Sequence, residues 1–226
     1  MNLPNKLSIL RIIMVPLFVV AYFMPSDWTV FVALGIFLLA AITDFLDGYI
    51  ARKYNLVTTL GKLLDPIADK ILVCAALFCM AASNPLRNSI GGHPLMGIAF
   101  GENQLTSGHI FFAVSGALIL SRELLIDAVR LIAASKGNVV QANTYGKIKT
   151  VLLDVSLPVL MAAEAFARVL DFMTQVSMYQ PNMQLFQTIY NVLSWVGGVL
   201  FALAIVMTVL SGIVYIVQNR RVFQDK

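Results

Sequence analysis

Charge is scarce in this sequence. Asp, Glu, Lys and Arg together make up 12% of its 226 residues, about half of the roughly 25% that a soluble globular chain carries. So little charge cannot clothe a water-facing surface, which excludes a soluble enzyme, and disorder fails too, because disordered chains are poor in apolar residues. Cysteine is scarcer still. Cys74 and Cys79 both lie inside an apolar run, which excludes a secreted disulfide scaffold and leaves them as membrane-helix filler. The two histidines, His93 and His109, stand apart on or near one loop and make no metal site. Low-complexity tracts, internal repeats and a soluble domain are absent. The net charge is +4 and the isoelectric point about 9.1, but the basic residues are dispersed, so no nucleic acid partner is expected.

Apolar residues are abundant, at 59%, and the mean hydropathy is +0.82. A bilayer core of about 30 Å needs about 20 mostly apolar residues per helix. Six stretches qualify: 7–24, 29–51, 62–82, 108–132, 147–170 and 188–217. They predict an all-α integral membrane protein of six transmembrane helices forming one domain over residues 1–226. The first stretch is not expected to be a cleaved signal, because it lacks a small-residue cleavage site, ends in Met24-Pro25 and is followed by further spans. The last is long enough to tilt or to project past the membrane. Of the 16 Lys and Arg, all but Arg87, Arg168 and the mid-span Arg122 fall at or near one side, which places both termini in the cytoplasm. Trp28 and Trp195 suit interface anchors. Loop 83–107, rich in Gly and Pro, reads as irregular structure on the outer side, and 171–187 as a short polar outer loop.

The informative residues are the carboxylates within the spans, each costing about 2.5–3.5 kcal/mol near a membrane centre. The second span ends in Asp44, Asp47, Gly48 and Ala51, spaced as one helix face. The third opens with Gly61, Asp65 and Asp69, again one face. A short hairpin between them predicts antiparallel neighbours whose acidic stripes oppose each other. Four facing carboxylates repel unless neutralised, and oxygen ligands without His or Cys suit hard cations such as Mg²⁺ or Mn²⁺. Four anionic ligands can hold two such ions, as in phosphoryl transfer. Gly48, Ala51 and Gly61 lack bulk on these stripes, leaving room for a ligand near the backbone. The plainer alternative pairs the same carboxylates with Arg52, Lys53, Lys62 and Lys70.

Asp44-x-x-Asp47-Gly48-x-x-Ala51-Arg52, then eight residues, then Gly61-x-x-x-Asp65-x-x-x-Asp69 resembles the signature of the CDP-alcohol phosphotransferases at every fixed position. The resemblance implies transfer of a substituted phosphate from a CDP-linked donor to an alcohol, with release of CMP. It also implies six membrane helices, two divalent cations, an active site open to the cytoplasm and a homodimer. The opening Asn2-Leu3-Pro4-Asn5-Lys6-Leu7-Ser8-Ile9-Leu10-Arg11, with Ser8 where Thr is more usual, resembles a bacterial branch. So do Ser121-Arg122-Glu123-Leu124 through Arg130, and Tyr145-Gly146-Lys147-Ile148-Lys149-Thr150. That branch uses CDP-diacylglycerol as donor and sn-glycerol 3-phosphate as acceptor in the bacterial cell membrane.

By that resemblance Asp44, Asp47, Asp65 and Asp69 are metal ligands, with Asp69 also the general base. Gly48, Ala51, Arg52 and Gly61 match the positions that hold the CDP moiety. A phosphorylated acceptor needs a second cationic patch, and Arg122, Arg130, Lys147 and Lys149 are the candidates. Against this, Arg122 can pair with Glu123 or Asp127 and the lysines can face lipid headgroups. Asp127 is expected to pair within its own helix, one turn from Glu123 and from Arg130. Asp154, Glu164 and Arg168 can pair locally. Rival readings are another acceptor (inositol phosphate, serine or phosphatidylglycerol), a membrane prenyltransferase, and an ion transporter. The transporter is disfavoured by the apolar outer halves of spans two and three.

Overall fold

The computed structural model describes residues 2–26, 28–54, 58–83, 104–135, 144–175 and 183–219. These hold six helices: α1 Leu3–Phe23, α2 Thr29–Lys53, α3 Thr59–Ser83, α4 Gln104–Ser135, α5 Thr144–Gln175 and α6 Met183–Gln218. Most of loop 83–107, with Arg87 and His93, lies outside the described residues, as do Lys136, Arg220, Arg221 and Lys226.

Local chemistry sets the first boundaries. Pro4 sits in the first turn of α1, where its missing N–H costs nothing. The helix stops at Met24, whose backbone turns extended (φ −60°, ψ 140°) because Pro25 follows it. The Thr29 hydroxyl donates to the Ser26 carbonyl at 2.6 Å, tying the turn that opens α2.

Among the described residues, five helices are long and apolar enough to cross a membrane: α1, α2, α4, α5 and α6. The third is 25 residues long, but Lys62, Asp65, Asp69 and Lys70 crowd its first half and dilute its apolarity. It nevertheless packs inside the bundle, where Ala68, Leu72, Ala76, Leu77, Cys79 and Met80 are buried.

Packing follows membrane logic, with large apolar residues on the outer faces and small residues at the close helix contacts. Leu39, Phe45, Phe78, Leu131 and Val206 are exposed to the lipid side. The buried line of α6 reads Tyr190, Ser194, Gly197, Phe201, Ala204, Thr208, Ser211 and Tyr215, alternating steps of four and three as in a left-handed supercoil seam. It lies against α5 in the most extensive helix contact of the molecule. At Gly197 the approach is so close that a Cβ would stand 2.9 Å from Leu160 Cγ and Cδ2. Tilted ring pairs join other helices: Phe112 with Phe201 at 5.3 Å and Phe18 with Phe37 at 5.9 Å.

One expectation is corrected. Helices α2 and α3 barely touch, and α1 packs extensively against both. Its buried side chains, among them Asn5, Ser8, Arg11, Val15, Phe18 and Tyr22, form the surface on which the other two converge. The acidic stripes therefore meet across α1 instead of directly across a hairpin.

Candidate active site

The carboxylates gather where the start of α1, the end of α2 and the start of α3 meet. Asp44 and Asp65 lie within electrostatic reach of Asp47, and Asp44 within reach of Asp69. Asp47 is buried, whereas the Asp44 side chain is half-exposed.

The partner of the α2 pair is Arg11, fully buried on α1. Its Nη1 reaches Asp44 Oδ1 at 2.6 Å and its Nη2 reaches Asp47 Oδ2 at 2.6 Å, while its Nε donates to the Ala40 carbonyl at 3.3 Å. One turn away, the Ser8 hydroxyl lies 2.6 Å from Asp65 Oδ1 and 3.1 Å from the Pro4 carbonyl. From sequence, Arg11 counts only among the basic residues expected on the cytoplasmic side and in the family-like opening. The available signal was an ionisable residue on an apolar helix, one turn from a serine, which marks function by default. Two of the basic residues expected to neutralise these carboxylates, Lys70 and Lys53, do otherwise. Lys70 pairs with Asp127 of α4, so Asp127 is tied to another helix and not within its own. Lys53 lies over the rings of Tyr49 and Tyr54. The side chains of Arg52 and Lys62 lie outside the description.

Gly61 is buried as its place on the stripe requires, but the space beside it is taken. A Cβ there would stand 2.9 Å from Asn5 Oδ1 and 3.2 Å from Thr58 Oγ1. Thr58 donates to Asn5 Oδ1 at 2.9 Å and accepts from the Gly61 N–H at 3.0 Å. The missing side chain admits α1, so the room expected there for a ligand is filled by protein. Gly48 and Ala51, further along α2 from Asp44, are partly exposed.

The donor set is all oxygen and suits a hard divalent cation. Among the described residues, no three acidic, histidine or cysteine side chains converge closely enough to coordinate one ion as placed. Each contact from α1 engages a single oxygen of its carboxylate and leaves the other to a cation, so the donor set fits such an ion in its chemistry.

A second layer continues from Asp69. A cavity of about 60 Å³ is lined by Asp69, Lys70, Glu123, Lys149, Thr150 and Asp154, among others. Buried Lys149 and Arg122 converge on Glu123, Arg122 at 2.9 Å. Arg122 also donates to Ser211 at 2.9 Å. It threads a slot between Gly146 of α5 and Gly212 of α6, whose Cβ positions lie 3.5 and 3.3 Å from its Nη2 and Cγ. A neighbouring cavity of about 200 Å³ is lined by Arg122, Glu123, Arg130, Lys147, Thr150 and Tyr215, among others. Three of the four basic candidates therefore share one cavity and Lys149 lines the next. Asp154 joins Asp69, not Glu164 and Arg168, which pair with each other at 3.2 Å far along α5. An ionisable residue inside a span was the signal for Asp154 as well. His109 donates from Nδ1 to the Ala81 carbonyl at 2.6 Å, a structural bond at the opposite end.

Comparison with known proteins converges on this arrangement. The chain is 37% identical over 161 residues to the CDP-diacylglycerol–glycerol-3-phosphate 3-phosphatidyltransferase of Bacillus subtilis, covering 66% of this chain and 70% of the relative. It is likewise 37% identical over 161 residues to the protein of the same name from Rickettsia bellii, covering 71% and 75%. It is 37% identical over 167 residues to the cardiolipin synthase (CMP-forming) of rice, covering 72% of this chain and 46% of that longer protein. The family model for CDP-alcohol phosphatidyltransferases matches residues 1–210, the span that holds all four aspartates and both basic layers. This chain belongs to the CDP-alcohol phosphatidyltransferase family.

Proposed function

We propose that the chain transfers the phosphatidyl group of CDP-diacylglycerol to sn-glycerol 3-phosphate, giving phosphatidylglycerol phosphate and CMP. The observation that carries this reading is the succession of layers: carboxylates, then Glu123 with Lys149, then a cavity lined by Arg122, Arg130 and Lys147. A donor diphosphate and an acceptor phosphate need two adjacent sites of this kind. The names of the Bacillus and Rickettsia relatives support the same pair of substrates.

In this reading Asp44, Asp47, Asp65 and Asp69 would hold two divalent cations, Mg²⁺ or Mn²⁺, which when bound neutralise the diphosphate and polarise the phosphorus under attack. Asp69 accepts the proton of the acceptor's 1-hydroxyl. The freed oxygen bonds to the β-phosphorus, and the bond from that phosphorus to the CMP oxygen breaks. Gly48 and Ala51 face the CDP moiety along α2, and Arg52, next in sequence, belongs to the same CDP-binding set. Gly61 serves the same end indirectly, by admitting Asn5. Arg130 and Lys147 supply charge to the acceptor phosphate, and Arg122 and Lys149, already shared with Glu123, set its depth. The protein works as a single domain in a bacterial cell membrane, as a homodimer with both termini and the site on the cytoplasmic side.

A lipid acceptor, phosphatidylglycerol, is the second reading, carried by the similarity to the rice cardiolipin synthase. CMP release by purified protein with Mg²⁺ separates the two, using glycerol 3-phosphate, inositol phosphate, serine and phosphatidylglycerol as acceptors and Asp65→Ala as the blank. Release with glycerol 3-phosphate alone, lost in the blank, is the expected result. Release only with another acceptor overturns the substrate assignment.

A further inference from the structure

Three of the four signature carboxylates are gripped from outside the signature, by α1. Arg11 is among the largest fully buried side chains of the molecule. Its planar group hydrogen-bonds Asp47 at 2.6 Å through one nitrogen and the Ala40 carbonyl of the same helix through another, and its third nitrogen forms an ion pair with Asp44 at 2.6 Å. Two carboxylates almost one turn apart are thereby fixed relative to each other and to the backbone that carries them. Only a rigid fork of donors can do this; an ammonium group is a point charge. Ser8, one turn from Arg11, holds Asp65 of α3 at 2.6 Å. In each case one carboxylate oxygen is engaged from the α1 side.

We propose that Arg11 and Ser8 are positioning residues that orient Asp44, Asp47 and Asp65 toward the divalent cations of the reaction. The inference rests on the reading of these aspartates as metal ligands. Ligating carboxylates are themselves held by hydrogen bonds, and loss of such an outer partner typically costs about 10–100-fold in metal affinity or activity.

Electrostatics makes the role separable from simple neutralisation. A fixed positive charge beside the ligands weakens their attraction for a cation. If Arg11 did nothing more than balance charge, removing it would tighten metal binding. As a positioning group, its removal loosens binding, and lysine, which keeps the charge and loses the fork, does not rescue it.

The test uses the full-length protein in detergent micelles, as wild type, Arg11→Lys, Arg11→Met, Ser8→Ala, Ser8→Thr and Asp65→Ala. Mn²⁺ binding is read from the electron paramagnetic resonance signal of the free ion, and the Mg²⁺ dependence of CMP release is followed in parallel. Half-saturation by Mn²⁺ should rise about 10–100-fold in Arg11→Lys and Arg11→Met, with a smaller loss of turnover at saturating Mg²⁺. Ser8→Ala should shift in the same direction by less, and Ser8→Thr should restore wild-type binding. Unchanged or tighter Mn²⁺ binding in the Arg11 variants overturns the inference, as does full rescue by lysine. If Arg11→Met does not give a monodisperse folded protein, Arg11→Lys and the serine pair decide. Absence of Mn²⁺ binding by the wild type, or its persistence in Asp65→Ala, sinks the metal-ligand reading instead.

Discussion

Helix α1 touches charged residues at both of its ends, and the two ends handle charge differently. Near its start, ionic contacts cross between helices, Arg11 of α1 to α2, Lys70 of α3 to α4, and Lys149 of α5 to α4, alongside the pair Arg122–Glu123 within α4. Near its finish, the ion pair Arg168–Glu164 lies within one helix, four residues apart. There Arg168 also sits over the ring of Tyr22, 5.5 Å from its centroid, and the Tyr22 hydroxyl shares a 2.7 Å hydrogen bond with Ser83. A pair within a helix compensates a buried carboxylate without tying its charge to a second helix. A pair between helices sets their relative position, and where several meet they define a place at which a ligand can be held. The first end is thus organised for chemistry and the second for stability.

The sharpest way to break this contrast is to neutralise a carboxylate at each end. Asp65→Ala should lower CMP release well beyond 100-fold, exceeding the range of about 10–100-fold typical of outer partners, with the fold retained. Glu164→Gln, at the other end, should leave the turnover of folded protein within about twofold. It should cost about 2 kcal/mol of stability, because Arg168 loses its charged partner, read as a lower melting temperature in micelles. Equal losses of turnover in the two variants would erase the distinction.

The next effect concerns the acceptor. A hydrogen bond to a charged group contributes about 1.5–3 kcal/mol, and each 1.4 kcal/mol is a factor of about ten. Arg130→Gln and Lys147→Gln should therefore each raise the KM for glycerol 3-phosphate about tenfold or more, leaving the KM for CDP-diacylglycerol unchanged. A rise in the donor KM instead would move these residues to the donor side.

Smaller effects follow from packing. Gly61→Ala places a methyl 2.9 Å from Asn5 Oδ1 and should destabilise by about 1–3 kcal/mol. Combining it with Asn5→Ala should cost less than the sum of the two changes, since the residues share one space. Additive losses would mean that Gly61 serves a ligand and not α1. Smallest is Tyr22→Phe, which removes one hydrogen bond and should lower stability by about 1 kcal/mol without altering CMP release.

Much of this was legible in the sequence. Apolar run lengths located all six helices, and helical spacing put Asp44 and Asp47 on one face and Asp65 and Asp69 on another. The family signature then tied those faces to one chemistry. Which helix lies between α2 and α3 was not legible, because periodicity reports the faces of a helix and not its neighbours. For the same reason Lys70 and Asp127 found each other across two helices, although both had candidate partners closer in sequence. Gly61 shows a subtler limit. Its lack of bulk was readable, but a gap in a sequence does not say whether substrate or protein fills it, and here Asn5 does. The third helix tests hydropathy from the other side: its charged first half lowers the average, yet Leu72, Ala76, Leu77, Cys79 and Met80 beyond it are buried in the bundle.

The position of Arg11 bears on how the protein is made. Synthesis runs from α1 to α2, so the arginine reaches the membrane before Asp44 and Asp47 do. Each of those carboxylates entering alone would cost up to about 2.5–3.5 kcal/mol if placed near the bilayer centre. Entering as a hairpin with α1 already present, they meet their counter-charge on arrival. The contact that orders the finished site therefore also eases the passage of α2, with its two carboxylates, from translocon to lipid.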